Sequence, residues 1–203
     1  MRKLIKTLSF LFLLPCAVSA DDAGSWISAK FNFNPTQNIY LSTLLEHRTE
    51  NHFKSTDCYF ARQYVGYKWC SWLKTDAAYE ILKNSESVQN KGLFSATATL
   101  KQGNFSFSFR ERYVYTYTVK DKSSDHVLRS KATVTYNIPE TRFSPYVACE
   151  VYAWDGWQKT RHYIGTNIDI DKRNSLNIFY LYYTKANNAP QQHILGVYYV
   201  LDL

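Results

Sequence analysis

No stretch of this chain approaches the ~18 consecutive apolar residues that a membrane-crossing helix requires, and no segment has convincing helical periodicity. If the protein enters a membrane, it does so as strands. Cysteine is scarce, four in 203 residues, with no C-x-x-C pair and no clustered Cys/His spacing, so no zinc or other metal site is indicated. G-x-S-x-G and H-E-x-x-H are both missing, as is a glycine-rich loop that could cradle a phosphate-bearing cofactor. Methionine occurs once, as the initiator, and adds nothing to a core. The charge imbalance is also small: the formal +7 includes three cations in the first 20 residues, leaving 21 Lys and Arg against 17 Asp and Glu beyond them. That is too mild for a nucleic-acid partner.

Those first 20 residues have a basic start (Arg2, Lys3, Lys6), an apolar run from Leu8 to Leu14 and small residues at Val18 and Ala20. The pattern predicts a secretory signal peptide over residues 1–20, cut after Ala20. The run is too short for an anchor, and Pro15 is a poor residue before a lipidated Cys16. The remaining 183 residues suit a single domain, 21–203. Of its three cysteines, Cys58 and Cys70 could bridge only across a hairpin centred near Tyr64, and an odd number leaves one thiol over.

What the chain does have is alternation. Phe105 to Val119 places Phe105, Phe107, Phe109, Tyr113, Tyr115, Tyr117 and Val119 on one face, and Ser106, Ser108, Arg110, Arg112, Thr116 and Thr118 on the other. This is a strand with one oily and one wet side, and Glu111 interrupts the oily one. At ~3.3 Å per residue it would reach roughly 45 to 50 Å, beyond the ~9 to 11 residues of a tilted membrane strand. Similar segments run from Trp26 to Phe33, Ile39 to Thr49, Asp57 to Val65, Trp69 to Leu82 and Leu93 to Leu100, then Val127 to Asn137, Phe143 to Trp154, Lys159 to Ile170, Leu176 to Lys185 and Gln192 to Leu203. Gly66 to Lys68 reads as a turn, and polar Lys83 to Gly92 and Lys120 to Asp125 read as long loops.

Eleven strands with alternating short and long connections predict an all-β, up-and-down antiparallel transmembrane barrel of 10 to 12 strands. Even numbers are usual, so ten or twelve is expected, with a strand split near Asn34 to Asn38 or missed between Trp69 and Gly92. A soluble lipocalin-like or sandwich protein would instead bury the oily face. The aromatic residues favour the membrane: 17 tyrosines and five tryptophans crowd strand ends (Tyr113, Tyr115, Tyr117, Trp154, Trp157, Tyr180, Tyr182, Tyr198, Tyr199), as interface girdles do. The apolar positions of the last strand, Tyr199, Leu201 and Leu203, look like the C-terminal signal of outer-membrane assembly, ending in leucine where an aromatic residue is commoner.

In order and spacing, the chain resembles the outer-membrane β-barrel family catalogued as domain of unknown function 2490. The resemblance rests on Trp26, on LLEHR with Glu46 and Arg48, on FRERY with Arg110 and Arg112, on LRSKATVTYNIP, and on FSPYVACEVY with Pro145, Tyr146 and Glu150. It covers most of residues 24 to 203 and implies place and fold, since the family has no established activity. The expected address is the bacterial outer membrane, with membrane lipid and the barrel assembly machinery as partners and no signal for oligomeric state.

With the oily faces outward, Glu46, Arg48, Arg110, Arg112, Arg129, Lys131, Glu150 and Arg161 point into the barrel. Such charges can pair into a network that fills a narrow lumen, or form a basic constriction that binds or passes a small anion. Either reading makes the protein non-enzymatic. The enzymatic alternative is an outer-membrane lipid hydrolase or acyltransferase using Ser and His with a carboxylate at the extracellular rim, with the stretch Ser123 to His126 as the local candidate among the five histidines.

Overall fold

In a computed structural model, described over residues 22–186 and 191–203, the chain forms β-strands joined by turns, with no helix. The proposed signal peptide lies outside the described residues. The strands are β1 (Asp22–Phe33), β2 (Ile39–Glu50), β3 (Ser55–Lys68), β4 (Leu73–Asn84), β5 (Val88–Gln102), β6 (Phe105–Thr118), β7 (Ser123–Tyr136), β8 (Phe143–Ala153), β9 (Trp157–Asp169), β10 (Asn174–Lys185) and β11 (Gln192–Asp202). Each pairs antiparallel with its sequence neighbours, and β1 pairs with β11 to close a barrel.

Eleven lies inside the expected range but is neither ten nor twelve. An odd number of up-and-down strands makes the first and last run the same way, and β1 and β11 are indeed parallel, with Trp26 opposite Gly196. Residues 34–38 are a connection between strands, and no extra strand lies between Trp69 and Gly92. The long loops are also absent. All connections at both ends have two to six residues, so the expected alternation of short and long does not occur. The polar segments after Lys83 and Lys120 belong largely to β4, β5 and β7, because backbone pairing continues beyond the point where an apolar face ends. The rim carrying connections 51–54, 85–87, 119–122 and 154–156 is called upper below, and the opposite one lower.

Gly66 is not a turn residue. It lies within β3, where an added Cβ would fall 2.1 Å from the Tyr40 ring, so the missing side chain makes room for that ring. β3 therefore runs on to Lys68, which puts Cys58 and Cys70 at opposite ends of the barrel, and all three described cysteines are free.

The barrel is inside out relative to a soluble one. Outward-facing Ile27, Leu45, Phe94, Phe109, Val147 and Leu195 are each 47 to 58 % exposed, whereas inward-facing Ser95, Glu150 and Glu80 are 0 to 2 % exposed. Rings gather near both rims: Tyr113, Tyr115, His126 and Trp154 pack together near the upper one, and Phe105 meets Tyr136 near the lower one. Tyr198 is the exception among the expected girdle residues. It lines the lumen, because Tyr199 beside it faces outward and neighbours in a strand take opposite faces. Glu111 faces outward without a bulge, since the β5–β6 and β6–β7 registers run unbroken through it, and its Oε2 accepts a hydrogen bond of 2.9 Å from Ser130 Oγ on the next strand.

Candidate functional site: a basic lumen

Alternation along each strand sends every second side chain inward, and the inward set is dominated by arginine, lysine and tyrosine. Three cavities follow one another along the lumen: a central one of about 400 Å³, an upper one of about 340 Å³ and a lower one of about 260 Å³. All eight charged residues assigned inward line the central cavity. Arg48, Arg62, Arg129 and Arg161 line the upper cavity as well, while Arg110, Arg112 and Lys131 are shared with the lower one.

Glu150 on β8 is the hub. Its Oε1 accepts from Arg110 Nη2 at 2.7 Å and Arg129 Nη2 at 2.9 Å, and its Oε2 lies 3.7 Å from Arg161 Nη1. The hydroxyls of Tyr163 and Tyr152 donate to the same Oε2 at 3.1 and 3.3 Å. A second unit joins Arg62 and Glu80, with Arg62 Nε at 2.6 Å from Oε2 and Lys91 Nζ at 3.5 Å from Oε1. In a third, Glu46 accepts from Arg48 Nε at 2.6 Å and from Ser28 Oγ at 2.7 Å. Arg112 is different: its Nε donates to Ser95 Oγ at 2.8 Å, and no carboxylate among the described residues lies within ion-pair distance.

The aromatic residues hold the guanidinium groups in place. Arg48 lies 4.1 Å from the Trp26 ring centre, Arg161 4.8 Å from the same ring, and Arg129 4.6 Å from Tyr152. Cation–π stacking of this kind is worth roughly 0.5–2 kcal/mol per contact and fixes the plane of each fork.

Across the three cavities, eleven lysine and arginine side chains face five carboxylates, those of Glu46, Asp76, Glu80, Asp125 and Glu150. Five acids cannot neutralise eleven protonated bases, so the difference is met by anions from solution or by lysines that give up a proton.

Eight further charged residues line these cavities beyond the eight assigned from the sequence: Lys30, Arg62, Lys74, Asp76, Glu80, Lys91, Asp125 and Lys159. Lys74, Asp76 and Glu80 were legible on the wet face of their strand. Arg62 was not, because β3 carries aromatic residues on both faces: Phe60 and Tyr64 inside, Tyr59 and Tyr67 outside. Among the described residues no histidine is hydrogen-bonded to a serine side chain. His126 Nδ1 lies 2.5 Å from Tyr113 OH, His47 Nε2 lies 3.3 Å from Thr56 Oγ1, and His193 Nδ1 meets Tyr180 OH. Ser123 and Ser124 are exposed at the upper end of β7.

The profile of a family described as "Protein of unknown function (DUF2490)" matches residues 23–193. The chain belongs to that family. No curated protein matches this DUF2490 member. Among solved structures its barrel is similar to one titled "NanC porin structure in rhombohedral crystal form", with 16 % sequence identity, 79 % of this chain and 86 % of that chain covered, and a TM-score of 0.53. At that identity the likeness concerns the fold: a porin-like closed β-barrel.

Proposed function

We propose that this DUF2490 barrel is a non-enzymatic protein of the bacterial outer membrane whose basic lumen is a narrow path for small anions. The observation that carries the reading is the excess of eleven cations over five carboxylates along three successive cavities that share their lining residues. A purely structural filling would pair its charges and close the space; here Lys30, Lys74, Lys131 and Arg112 stand beside open volume with no carboxylate partner among the described residues. A ring of fixed positive charge around an aqueous space admits anions and repels cations.

The outward apolar surface supports the membrane address, because exposing that much Phe, Ile, Leu and Val to water would drive aggregation. On this reading the partners are outer-membrane lipid around the apolar belt and the barrel assembly machinery during insertion, after export by a signal peptide that is then cleaved. The test is a planar-bilayer recording across a potassium chloride gradient. The expected result is a small conductance with a reversal potential on the chloride side. A protein that gives no conductance would leave only a structural or partner-binding role, and one selective for potassium would overturn the anion path. Fractionation tests the address independently, since recovery as a soluble periplasmic protein without heat-dependent gel mobility would count against it.

A further inference from the structure

The lower cavity differs from the rest of the lumen in what its charges lack. Its wall includes Lys30 from β1, Lys74 and Asp76 from β4, Arg110 and Arg112 from β6 and Lys131 from β7. Among the described residues, only Arg110 of these five cations has a carboxylate within ion-pair distance, Glu150. Lys30, Lys74 and Lys131 lie over the rings of Tyr64, Tyr40 and Tyr163, and Arg112 is held by Ser95. Arg112 as a whole residue is 5 % exposed, so little bulk water reaches it to offset its lack of a carboxylate.

The one acid present is also incomplete. Asp76 is 8 % exposed; its Oδ2 accepts from Tyr40 OH at 3.1 Å, while its Oδ1 is buried with no hydrogen-bond partner among the described residues. Arg110 Nε is a second buried atom without one. A buried acceptor left unpaired has lost its hydration without a replacement, the more costly when charged, so a donor from a bound species would offset that loss. The site therefore asks two things of a ligand. It must bring more than one negative charge to a cluster of cations, and it must carry an O–H to give to Asp76.

We infer that the lower lumen is a binding site for a compact dianionic oxyanion that retains a hydroxyl donor, hydrogen phosphate being the smallest such species. The anionic oxygens meet Arg112, Lys30, Lys74 and Lys131, and the hydroxyl donates to Asp76 Oδ1. Sulfate has the same charge and shape but no proton to give at neutral pH, so it leaves Asp76 facing an oxygen lone pair. The volume of about 260 Å³ holds such an ion with several waters, each of which takes roughly 30 Å³. The inference rests on the anion-path reading and specifies which anion dwells there.

The experiment titrates the purified, folded barrel in detergent with inorganic phosphate, sulfate and glycerol 3-phosphate at constant ionic strength. Heat of binding is the readout, and phosphate block of the chloride conductance is recorded in parallel. Phosphate is expected to bind at least about tenfold more tightly than sulfate. Asp76→Asn, whose amide can donate, should erase or reverse that preference, and Lys30→Gln with Lys74→Gln should weaken both anions at least about tenfold. Glycerol 3-phosphate, whose dianionic phosphate keeps no P–O–H, should bind no better than sulfate; binding as tight as phosphate would identify a carbinol hydroxyl of an organic ester as the donor to Asp76, and weaker binding would point to the free ion. Equal affinity for phosphate and sulfate in the parent protein overturns the inference whatever the variants do, as does a preference that survives Asp76→Asn. Phosphate preference without any conductance would sink the path and keep the site, whereas conductance without the preference would do the reverse.

Discussion

Replacing Glu150 by alanine would remove the acceptor shared by Arg110, Arg129, Arg161, Tyr152 and Tyr163. Breaking a buried ion pair by deleting one partner costs about 3–5 kcal/mol, because the surviving charge stays buried without compensation. Here three guanidinium groups would survive, spread over β6, β7 and β9. The side chains of Arg110 and Arg129 are 24 % and 15 % exposed, so water and lumenal anions would screen part of the repulsion. The Arg161 side chain, 6 % exposed, would be screened least. The net expectation is a loss of about 2–5 kcal/mol. With a urea dependence on the order of 2–3 kcal/mol per molar, the unfolding midpoint should fall by roughly 1–2 M. The assay is urea unfolding of the barrel in lipid vesicles, followed by tryptophan fluorescence and by gel mobility without heating. Arg110→Met combined with Glu150→Ala should recover part of the loss, since one of the stranded charges is then gone. A Glu150→Ala barrel that unfolds at the parent's urea concentration would show that the hub is fully screened by water, and the account of the lumen as a confined charge network would fail.

Other consequences are as direct. Gly66→Ala would push a Cβ into the Tyr40 ring and should cost about 1–3 kcal/mol, recovered in the Tyr40→Ala background; an unfolding curve unchanged by Gly66→Ala alone would refute the packing. In a bilayer, a charged thiol reagent should label exposed Cys70 in its turn quickly and outward-facing Cys149 slowly, whereas an apolar maleimide should reach Cys149; fast charged labelling of Cys149 would place that face in water. At the lower rim, Asp171 Oδ1 accepts from the Arg173 and Asn174 amides at 2.7 and 2.8 Å, and these bonds, with the Asn174 side chain, hold its carboxyl below the usual carboxylate range. Because the folded value is the lower one, the turn's added stability is complete above the unfolded pKa of about 3.9 and is lost as pH falls through the folded value. Exchange of those two amides should therefore quicken on acidification below that range, relative to neighbouring turns, and Asp171→Ala should abolish the difference; a parent turn insensitive to acid would contradict the assignment.

Much of the fold was legible because period-two alternation is a local signal. β6 could be read from fifteen residues, and the inward charges of β2, β7 and β8 followed from the same rule. Turn positions were harder. Gly66 looked like a turn because glycine is common in turns, yet its role depends on Tyr40, a residue 26 positions away in sequence, on a neighbouring strand. The polar segments after Lys83 and Lys120 looked like loops because composition reports on solvent, and strands go on pairing past the apolar belt. Closure by parallel β1 and β11 has no local signature, since nothing within either strand records which neighbour it meets. The lumen was half legible for a related reason. Charges on a clear wet face could be assigned, whereas the tyrosines that bind them, Tyr152, Tyr163 and Tyr183, are equally at home in a girdle.

Those tyrosines explain how one lumen can be both rigid and charged. Arg161 gives Nη1 and Nη2 to the hydroxyls of Tyr152 and Tyr183 and lies over the Trp26 ring, while Arg129 lies over Tyr152. A phenol accepts a hydrogen bond from a guanidinium without cancelling its charge, so this wall orders the arginines and leaves their field intact. A carboxylate in each of those places would have ordered them equally well and neutralised them. The fold thus uses Glu150 where three cations converge, Glu80 and Glu46 for smaller pairings, and neutral rings around the arginines between them. In the lower cavity even the ring contacts are sparse around Arg112, and Asp76 has an oxygen unspent. Along the lumen, arginines that share Glu150, Glu80 and Glu46 give way below to Lys30, Lys74, Lys131 and Arg112, which have no carboxylate partner among the described residues and line a volume where a mobile anion has room to stand.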